Sequence, residues 1–257
     1  MNKKPDNKSI ELIYGAHAVE FFLKSSPKRV KRILITQPKW RQRIQSLVTD
    51  HPETADLITE ISEDQATKLC SGGVHQGCII EIIPEKPKTE ADLKSMTFAE
   101  SAIIVAVDSV TDPQNMGSIF RIANGLGASA LILPQHNIAP ITAVVRKVAS
   151  GAVETLPWFQ VTNLSRTLNM MKEEEFWVVG ADGNDRSKTI PEYQFPKKTI
   201  LVLGAEGSGI RPGVRQNCDE FVAIPMLGQV ESLNVASAAS ILLFEFARQQ
   251  LLKIIIG

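Results

Sequence analysis

Residues 102–134 of this 257-residue chain read AIIVAVDSVTDPQNMGSIFRIANGLGASALILP. The apolar runs at its two ends, 102–108 and 130–134, are short and unbroken, which is typical of strands buried on both faces. Pro113 stands where a helix can begin, and a helix is predicted from about Gln114. The order strand, helix, strand predicts a βαβ unit, whose two strands run parallel.

The same alternation continues towards the C terminus. Further strands are predicted at 156–161, 176–181, 199–204 and 221–225, and further helices around 143–149 and 164–175, after Arg211 and from about Ser232. Because each strand is short and continuously apolar, the pattern favours an α/β fold with a mostly parallel sheet covered by helices on both faces. Ligands of such sheets collect beyond the carboxyl ends of the strands.

A second, smaller α/β unit is predicted before residue 84. Its expected elements are helices at 15–24, 40–48 and from Ser62, where S-x-x-Q forms a capping box, and strands at 32–36 and 77–83. Residues 84–100 are rich in proline and charge and are predicted to be a linker. The expected domains are therefore 1–83 and 101–257, joined by 84–100.

The overall composition excludes several classes of protein. The chain is 44% hydrophobic and 22% charged, as in ordinary globular proteins. No apolar run reaches the roughly 18 residues of a membrane helix. The N-terminal lysines are not followed by the apolar segment of a secretory signal, so we expect none. The three cysteines lack C-x-x-C spacing and the four histidines are scattered, so no disulfide framework or metal site is predicted. We expect a cytoplasmic protein without a bound metal.

Charge is segregated although the net charge is zero. Residues 24–43 contain eight basic residues and no acid, whereas 50–64 contain six acids and no lysine or arginine. The basic run would attract a phosphate backbone, which makes Lys28, Arg29 and Arg32 candidate RNA contacts. Trp40 lies within the run and could stack on an unpaired base, or equally anchor the core. The run could also be no more than the solvated face of a helix.

Three loops follow strands of the larger unit and carry polar side chains. These are Asn115 and Arg121 in the first, Glu206 in the second, and Ser232 and Asn234 in the third. Each has a structural alternative: Arg121 could reach solvent or form an ion pair, and the other residues could cap helices. Together they contain neither a metal-binding set nor a Cys–His pair, which favours positioning and charge stabilisation over covalent catalysis.

The second loop is rich in glycine. Its spacing, G-x-x-G-x-G from Gly204 to Gly209, allows positive φ angles and close approach of the backbone to a ligand. It matches neither the dinucleotide fingerprint G-x-G-x-x-G nor the G-K-[ST] ending of a phosphate-binding loop. The loop therefore gives little support to a nicotinamide or nucleoside-triphosphate site.

The three loops resemble, in order, the signature motifs of the SpoU family of trefoil-knot RNA ribose 2′-O-methyltransferases. The matching stretches are DSVTDPQNMGSIFRIA (108–123), LVLGAEGSGI (201–210) and IPMLGQVESLNVASAA (224–239). In the N-terminal unit, IYGAHAV (13–19) and VHQG (74–77) resemble the ribosomal-protein-like RNA-binding domain of the branch that methylates a guanosine of 23S ribosomal RNA.

This resemblance implies a trefoil knot in the C-terminal domain, with S-adenosyl-L-methionine bound inside it. The residues expected to line the donor site are Leu203, Gly204, Gly209, Ile224, Met226 and Leu233. It also implies a homodimer in which the C-terminal helix contributes to the interface. The run Ile254 to Ile256 would fit there, or equally in the core of one subunit. A knot is a rare exception to the rule that chains do not thread their own loops.

The resemblance also suggests roles for the polar residues. The family assigns deprotonation of the 2′-hydroxyl to the arginine that corresponds to Arg121. Because a guanidinium holds its proton tightly, we expect Arg121 instead to contact the target phosphate and 2′-oxygen and to stabilise negative charge. Asn115 would orient this contact, Ser232 and Asn234 would hold the ribose and the donor, and Glu206 would shape its loop. Transfer RNA as the substrate, and a non-catalytic RNA-binding or ribosome-assembly protein, remain alternatives.

Overall fold

The computed structural model describes residues 10–183 and 187–251. It divides into two compact units, which are residues 1–86 with 141–154, and 87–140 with 155–257. The predicted boundary at residue 101 would assign 141–154 to the C-terminal domain, whereas the structure groups this segment with the N-terminal unit. The run Ile254 to Ile256 lies outside the described residues.

The first unit is built on a four-stranded sheet. Its strands are β1 (Glu11–Tyr14), β2 (Val30–Ile35), β3 (Ile58–Glu60) and β4 (Cys78–Ile82), in the order β1-β4-β2-β3. Strand β4 is antiparallel to both β1 and β2, and β3 is parallel to β2. The helices of its N-terminal segment are α1 (Ala16–Ser25), α2 (Lys39–Leu47) and α3 (Glu63–Leu69). The short strands β1 and β3 were not predicted.

Helix α3 begins where the sequence predicts. Ser62 accepts a hydrogen bond from the Gln65 backbone, and the Gln65 side chain accepts one from the Ser62 backbone. This reciprocal capping box satisfies two backbone N–H groups that the first turn of a helix leaves free. The signal is local, because it needs only residues three positions apart.

Trp40 corrects one expectation. Its side chain is 2% exposed, and its indole Nε1 donates a hydrogen bond to the carbonyl oxygen of Gln76 at 3.1 Å. Trp40 and Ile44 are four residues apart on the buried face of α2. An indole that is enclosed in this way cannot stack on a base, so assigning Trp40 to the RNA contacts is wrong. Of the two roles considered for Trp40, stacking on a base and anchoring the core, the structure supports the second.

The second unit contains a parallel sheet, as the alternating pattern predicts, but with seven strands in place of the six predicted. The remaining strands are β5 (Ala102–Val107), β6 (Ala130–Pro134), β7 (Trp158–Val161), β8 (Trp177–Ala181), β9 (Lys188–Thr189), β10 (Lys198–Leu203) and β11 (Glu220–Ala223). Their order is β7-β6-β5-β10-β8-β11-β9, and every pairing is parallel. All six residues of β5 are buried, which explains its unbroken apolar sequence.

The remaining helices are α4 (Glu90–Lys94), α5 (Pro113–Gly125), α6 (Ala143–Ala149), α7 (Ala152–Thr155), α8 (Leu164–Glu173), α9 (Pro212–Arg215) and α10 (Val235–Phe246). Short 3-10 helices lie at Pro27–Arg29, Pro52–Leu57 and Ile190–Glu192, and a π-helical turn follows α10 at Ala247–Leu251. No helix in the described part of the chain is long and apolar enough to cross a membrane.

The segment predicted as a linker, 84–100, contains ordered structure. Helix α4 lies within it and begins with a second capping box, formed by Thr89 and Asp92. Leu93 is fully buried, and Lys88 forms a parallel bridge with Phe159 of β7. The helix was missed because five residues with a single buried side chain give no measurable period.

Candidate methyl-transfer site

The three polar loops lie at one edge of the sheet of the second unit. Because every strand pairing is parallel, the carboxyl ends of β5, β10 and β11 point towards the same edge. Strands β5 and β10 are neighbours, and β8 alone separates β10 from β11. The expectation of a shared edge is therefore confirmed.

The first loop leads into α5, which carries Asn115 and Arg121. Asp112 caps the helix by accepting a hydrogen bond from the Gln114 backbone at 3.0 Å. Asn115 is partly buried in the first turn, whereas Arg121 is exposed. Among the described residues, no carboxylate forms an ion pair with Arg121. Its guanidinium is thus available to an external anion. Of the two structural alternatives, the described residues exclude the ion pair, whereas exposure to solvent agrees with the structure.

The first and second loops are joined by an ion pair that the sequence analysis missed. Asp108 follows β5 and is fully buried. Its carboxylate accepts hydrogen bonds from the backbone N of Arg211 at 2.8 Å and from Arg211 Nε at 2.7 Å. A buried carboxylate must be paired in this way to offset its loss of hydration. The available signal was an acid directly after an unbroken apolar strand.

The glycine-rich loop folds back tightly on itself. Ala205 and Gly209 exchange two backbone hydrogen bonds, and Gly209 has a φ angle of 65°. A Cβ atom on Gly204 would lie 2.5 Å from the backbone N of Ile210 and closer still to the carbonyl carbon of Gly209. Only glycine fits at position 204 without moving the loop. Glu206 is exposed in this turn.

The third loop is joined to the first through two asparagines. Asn234 Nδ2 donates a hydrogen bond to Asn115 Oδ1 at 2.8 Å. The other atom of the same amide, Oδ1, accepts from the backbone of Ala236 and thereby caps α10. Asn234 consequently has both the structural role and a contact with another predicted site residue. Ser232 is exposed and is not the cap of α10.

The residues expected to line the donor site lie at the end of β10 and in the second and third loops. Leu203 is buried at the end of β10, and Gly204 is partly buried. Ile224, Met226 and Leu233 are partly buried in the third loop. Backbone and apolar groups therefore predominate at this edge.

The cysteines do not offer a nucleophile. Burial raises the pKa of the Cys70 thiol to about 11 and that of Cys218 to about 12. Cys78 is fully buried, and burial raises its pKa to about 12 as well. Since a thiolate is the reactive form, these thiols stay protonated and inert near neutral pH.

The predicted RNA contacts of the first unit differ in their partners. Lys28 is exposed. Arg32 is 51% exposed and forms a two-point ion pair with Glu81. Arg29 is 18% exposed and donates hydrogen bonds to the Ile83 carbonyl and to Glu154. The positive field of the basic run is thus partly offset by acids from elsewhere in the same unit. RNA binding by Lys28, Arg29 and Arg32 stays a prediction.

The replacement Asn234→Ala is expected to destabilise the protein by about 1 kcal/mol, because it removes the side-chain cap of α10. It should also lower the methyl-transfer rate, since Asn115 loses its partner. Thermal unfolding and a turnover assay would measure the two effects. Ser237→Ala, at an exposed position in the first turn of α10, is the matched control and should change neither. Unchanged stability of Asn234→Ala would contradict the capping role.

Two family models match the chain. The SpoU rRNA Methylase family matches residues 102–244, which include all three loops. A second model, described as RNA 2′-O ribose methyltransferase substrate binding, matches residues 12–88. The two matched ranges lie largely in different compact units.

Full-length relatives agree with these models. The Yersinia pestis protein 23S rRNA (guanosine-2′-O-)-methyltransferase RlmB is 38% identical over 95% of this chain and 99% of its own length. The protein of the same name from Escherichia coli K12 is 36% identical over 93% and 99%.

Solved structures share the fold. A putative RNA methyltransferase of the TrmH family from Porphyromonas gingivalis aligns with a TM-score of 0.72 at 25% identity, covering 94% of this chain and 90% of that one. The SpoU methyltransferase AviRb from Streptomyces viridochromogenes, solved with AdoMet, gives 0.75 at 23% identity over 96% and 91%. On the strength of the family model and the full-length relatives, this chain belongs to the SpoU rRNA methylase family.

Proposed function

We propose that this protein transfers a methyl group from S-adenosyl-L-methionine to the ribose 2′-oxygen of a guanosine in 23S ribosomal RNA. The observation that carries the proposal is the connection of the three motif loops at one sheet edge, where the first loop leads into the helix of Arg121. The Asp108–Arg211 pair joins the first loop to the second, and the Asn115–Asn234 contact joins it to the third. The full-length relatives support the choice of RNA.

The residues at this edge fit the methyl donor. The donor has an adenosine part, an amino-acid part and a positively charged sulfonium. Ile224, Met226 and Leu233 are partly buried and offer apolar surface to the adenosine, and the peptide groups of the folded-back glycine loop offer hydrogen-bonding partners. When bound, the donor supplies an electrophilic methyl group whose departure leaves a neutral thioether. We infer that the loop after β10 and the loop after β11 hold it between them.

Arg121 is the group that the mechanism requires near the acceptor. The 2′-hydroxyl must lose its proton as its oxygen attacks the methyl carbon. A guanidinium is a poor base but a good hydrogen-bond donor, so Arg121 would contact the adjacent phosphate and the 2′-oxygen. In this position it stabilises the negative charge that develops on the oxygen. The proton leaves to the phosphate or to water.

The other polar residues would act by positioning. Asn115 lies six residues before Arg121 on α5 and is itself held by Asn234. Ser232 precedes this asparagine and is exposed to a bound ribose. Glu206 would shape the turn between the glycines. Correct placement of two reactants contributes a large share of the rate in a bimolecular transfer.

The assembly and compartment belong to the same proposal. We infer a homodimer in the cytoplasm, where ribosomal RNA is available in bacteria. Helix α10 supports the dimer, because Phe244 and Ile241 on its surface are 52% and 39% exposed. They are three residues apart and therefore share one face of the helix. The trefoil knot of the second unit remains a prediction from the resemblance.

A transfer assay tests the proposed function. The purified protein is incubated with S-adenosyl-L-methionine, labelled with tritium on the methyl group, and with unmethylated 23S rRNA or transfer RNA. We expect label in 23S rRNA at one guanosine ribose, which mass spectrometry would locate. Label in transfer RNA alone would show that transfer RNA, and not 23S rRNA, is the substrate. RNA binding without label in either RNA would favour the non-catalytic alternative and overturn the proposal.

A further inference from the structure

The first unit contains a cleft that is separate from the residues of the methyl-transfer site. Its volume is about 480 Å³. Gln37 lines it from the turn before α2, Lys39 from the first position of α2, Glu63 and Thr67 from α3, and residues 72–77 from the loop before β4. This volume lies within the range of small-ligand sites, about 300–1,000 Å³, and can hold a nucleotide. The VHQG motif, for which the chemistry of methyl transfer has no use, forms one wall.

This wall is held in place before any ligand arrives. Trp40 Nε1 donates to the Gln76 carbonyl oxygen at 3.1 Å, and the Gln76 side-chain oxygen accepts from the Ala16 backbone at 2.7 Å. Gln76 itself has a φ angle of 55°, a conformation that non-glycine residues rarely adopt. Helices α1 and α2 thus both hold the loop. A preformed wall lowers the entropy lost on binding.

The carboxylate of Glu63 is a hydrogen-bond acceptor in the cleft, and His75 and Thr36 hold it in place. His75 is 8% exposed, and its Nδ1 accepts from the Gly77 backbone at 3.2 Å, which leaves the ring proton on Nε2. This Nε2 lies 3.4 Å from one carboxylate oxygen of Glu63. The other oxygen accepts from Thr36 Oγ1 at 2.6 Å. Each oxygen keeps a free lone pair, and the Glu63 side chain is 59% exposed, so both oxygens can accept from a ligand.

Two further side chains complete the chemistry of the cleft. Val74 is an apolar residue that is 65% exposed. Lys39 is exposed, and no ion pair involves it in the described part of the chain. The cleft thus offers an apolar surface, a carboxylate and a cation. An unpaired nucleotide has the matching groups, which are a flat base, an edge with donors and a phosphate.

We propose that this cleft binds an unpaired guanine of the RNA substrate, as a second nucleotide besides the one that is methylated. Glu63 accepts hydrogen bonds from N1–H and the 2-amino group, the base lies against Val74, and Lys39 faces the phosphate. Guanine alone among the four bases presents two adjacent donors to a carboxylate. Trp40 acts here as a positioning residue, because it holds the loop that forms the wall. RNA as the ligand rests on the proposed function.

Binding of short RNAs to the full chain tests the cleft directly. The probes are fluorescein-labelled uridine heptamers that carry guanosine, adenosine, inosine or uridine at the central position. Fluorescence anisotropy measures the binding of each probe to the protein. We expect the guanosine probe to bind about 10-fold more tightly than the uridine probe, since a good two-point base contact gives about 5–150-fold discrimination. Inosine, which lacks the 2-amino group, should be intermediate. Equal affinity for all four probes would overturn the proposal, as would preference for adenosine.

Matched variants assign the effect to the cleft. Glu63→Gln keeps the size of the side chain and should remove the preference for guanosine. Glu53→Gln makes the same charge change at an exposed position of the same unit that does not line the cleft, and it should keep the preference. Thermal unfolding checks that both variants are folded. A guanosine preference that survives Glu63→Gln would contradict the role of this carboxylate, and loss in both variants would point to overall charge instead.

The cleft proposal and the proposed function can fail independently of each other. With 23S rRNA as substrate, Glu63→Gln should raise KM for RNA about 10-fold and leave kcat at saturating RNA unchanged, because the contact is made equally in the ground and transition states. If the wild-type protein transfers methyl groups without a guanosine preference in the heptamers, only the cleft proposal fails. If it shows the preference but transfers no methyl group, only the proposed enzymatic function fails.

Discussion

Arg121→Ala is expected to lower the rate of methyl transfer by about 100- to 1,000-fold, the usual effect of removing one donor that stabilises developing charge. Arg121 is exposed on α5 and forms no ion pair with the described residues, so its removal should cost little stability. Single-turnover transfer to 23S rRNA measures the rate. Calorimetry with S-adenosyl-L-methionine should give a dissociation constant like that of the wild type.

Two further variants sharpen this prediction. Arg121→Lys keeps the charge but loses the planar fork that contacts a phosphate at two points, and we expect only partial recovery of the rate. Arg166→Ala removes a 63% exposed arginine of the same unit, which pairs with Glu90, and should leave the rate unchanged. Near-normal turnover of Arg121→Ala would refute its role. A matching loss of donor affinity would place Arg121 in the donor site instead.

Gly204→Ala is expected to weaken donor binding by at least about 10-fold and to destabilise the protein by about 1–3 kcal/mol, as overpacking of tightly packed sites does. The added Cβ would lie 2.5 Å from the Ile210 backbone nitrogen, so the backbone of the loop must move. The next residue, Arg211, donates its backbone N–H to Asp108, and this movement would strain the connection to the first loop. Calorimetry and thermal unfolding measure the two effects.

The chain provides a matched control for this substitution. Gly213 lies in α9, and a Cβ built on it would meet no atom within 4 Å. Gly213→Ala should therefore leave donor binding unchanged and be neutral or slightly stabilising, by up to about 1 kcal/mol, because it restricts the unfolded chain. Wild-type donor affinity in Gly204→Ala would contradict the requirement for a glycine and show that the loop relaxes at no cost.

The larger unit was predictable because its signals are local and repeated. Each strand is a short apolar run, and each helix between them has its own period or cap. Parallel strands also have a geometric consequence, since their carboxyl ends must share one edge. The sequence for this reason assigns the loops after Asp108, Leu203 and Pro225 to one site. The segment 84–100 was predicted less well, because α4 is too short to show a period.

Contacts between distant residues were not predictable in the same way. Asp108 and Arg211 are 103 positions apart, and Asn115 and Asn234 are 119 apart. Asp108 had a complete local explanation as a strand end, and Asn115 and Asn234 as helix caps. The sequence therefore contained no sign that they are paired.

The charged N-terminal run illustrates the same limit. The run of eight basic residues is real, but Arg32 pairs with Glu81 and Arg43 with Glu20 once the sheet and helices form. Trp40 turned inward because it shares a helix face with Ile44, and its N–H then supports the loop at Gln76. Net charge along the chain describes composition only. The electric field at a surface depends on which acidic side chains lie next to each basic side chain in the folded protein.

The sequence by itself determined the fold class, most strands and helices of the larger unit and the common edge of the three motif loops. These follow from hydrophobic period, capping and strand direction, all of which act over a few residues. Only the tertiary structure decided which side chains meet at that edge, that Arg121 is left without an acidic partner among the described residues, and that the VHQG loop forms one wall of an open cleft beside Glu63. Such contacts join residues that are far apart in the chain, and packing of the whole unit selects them.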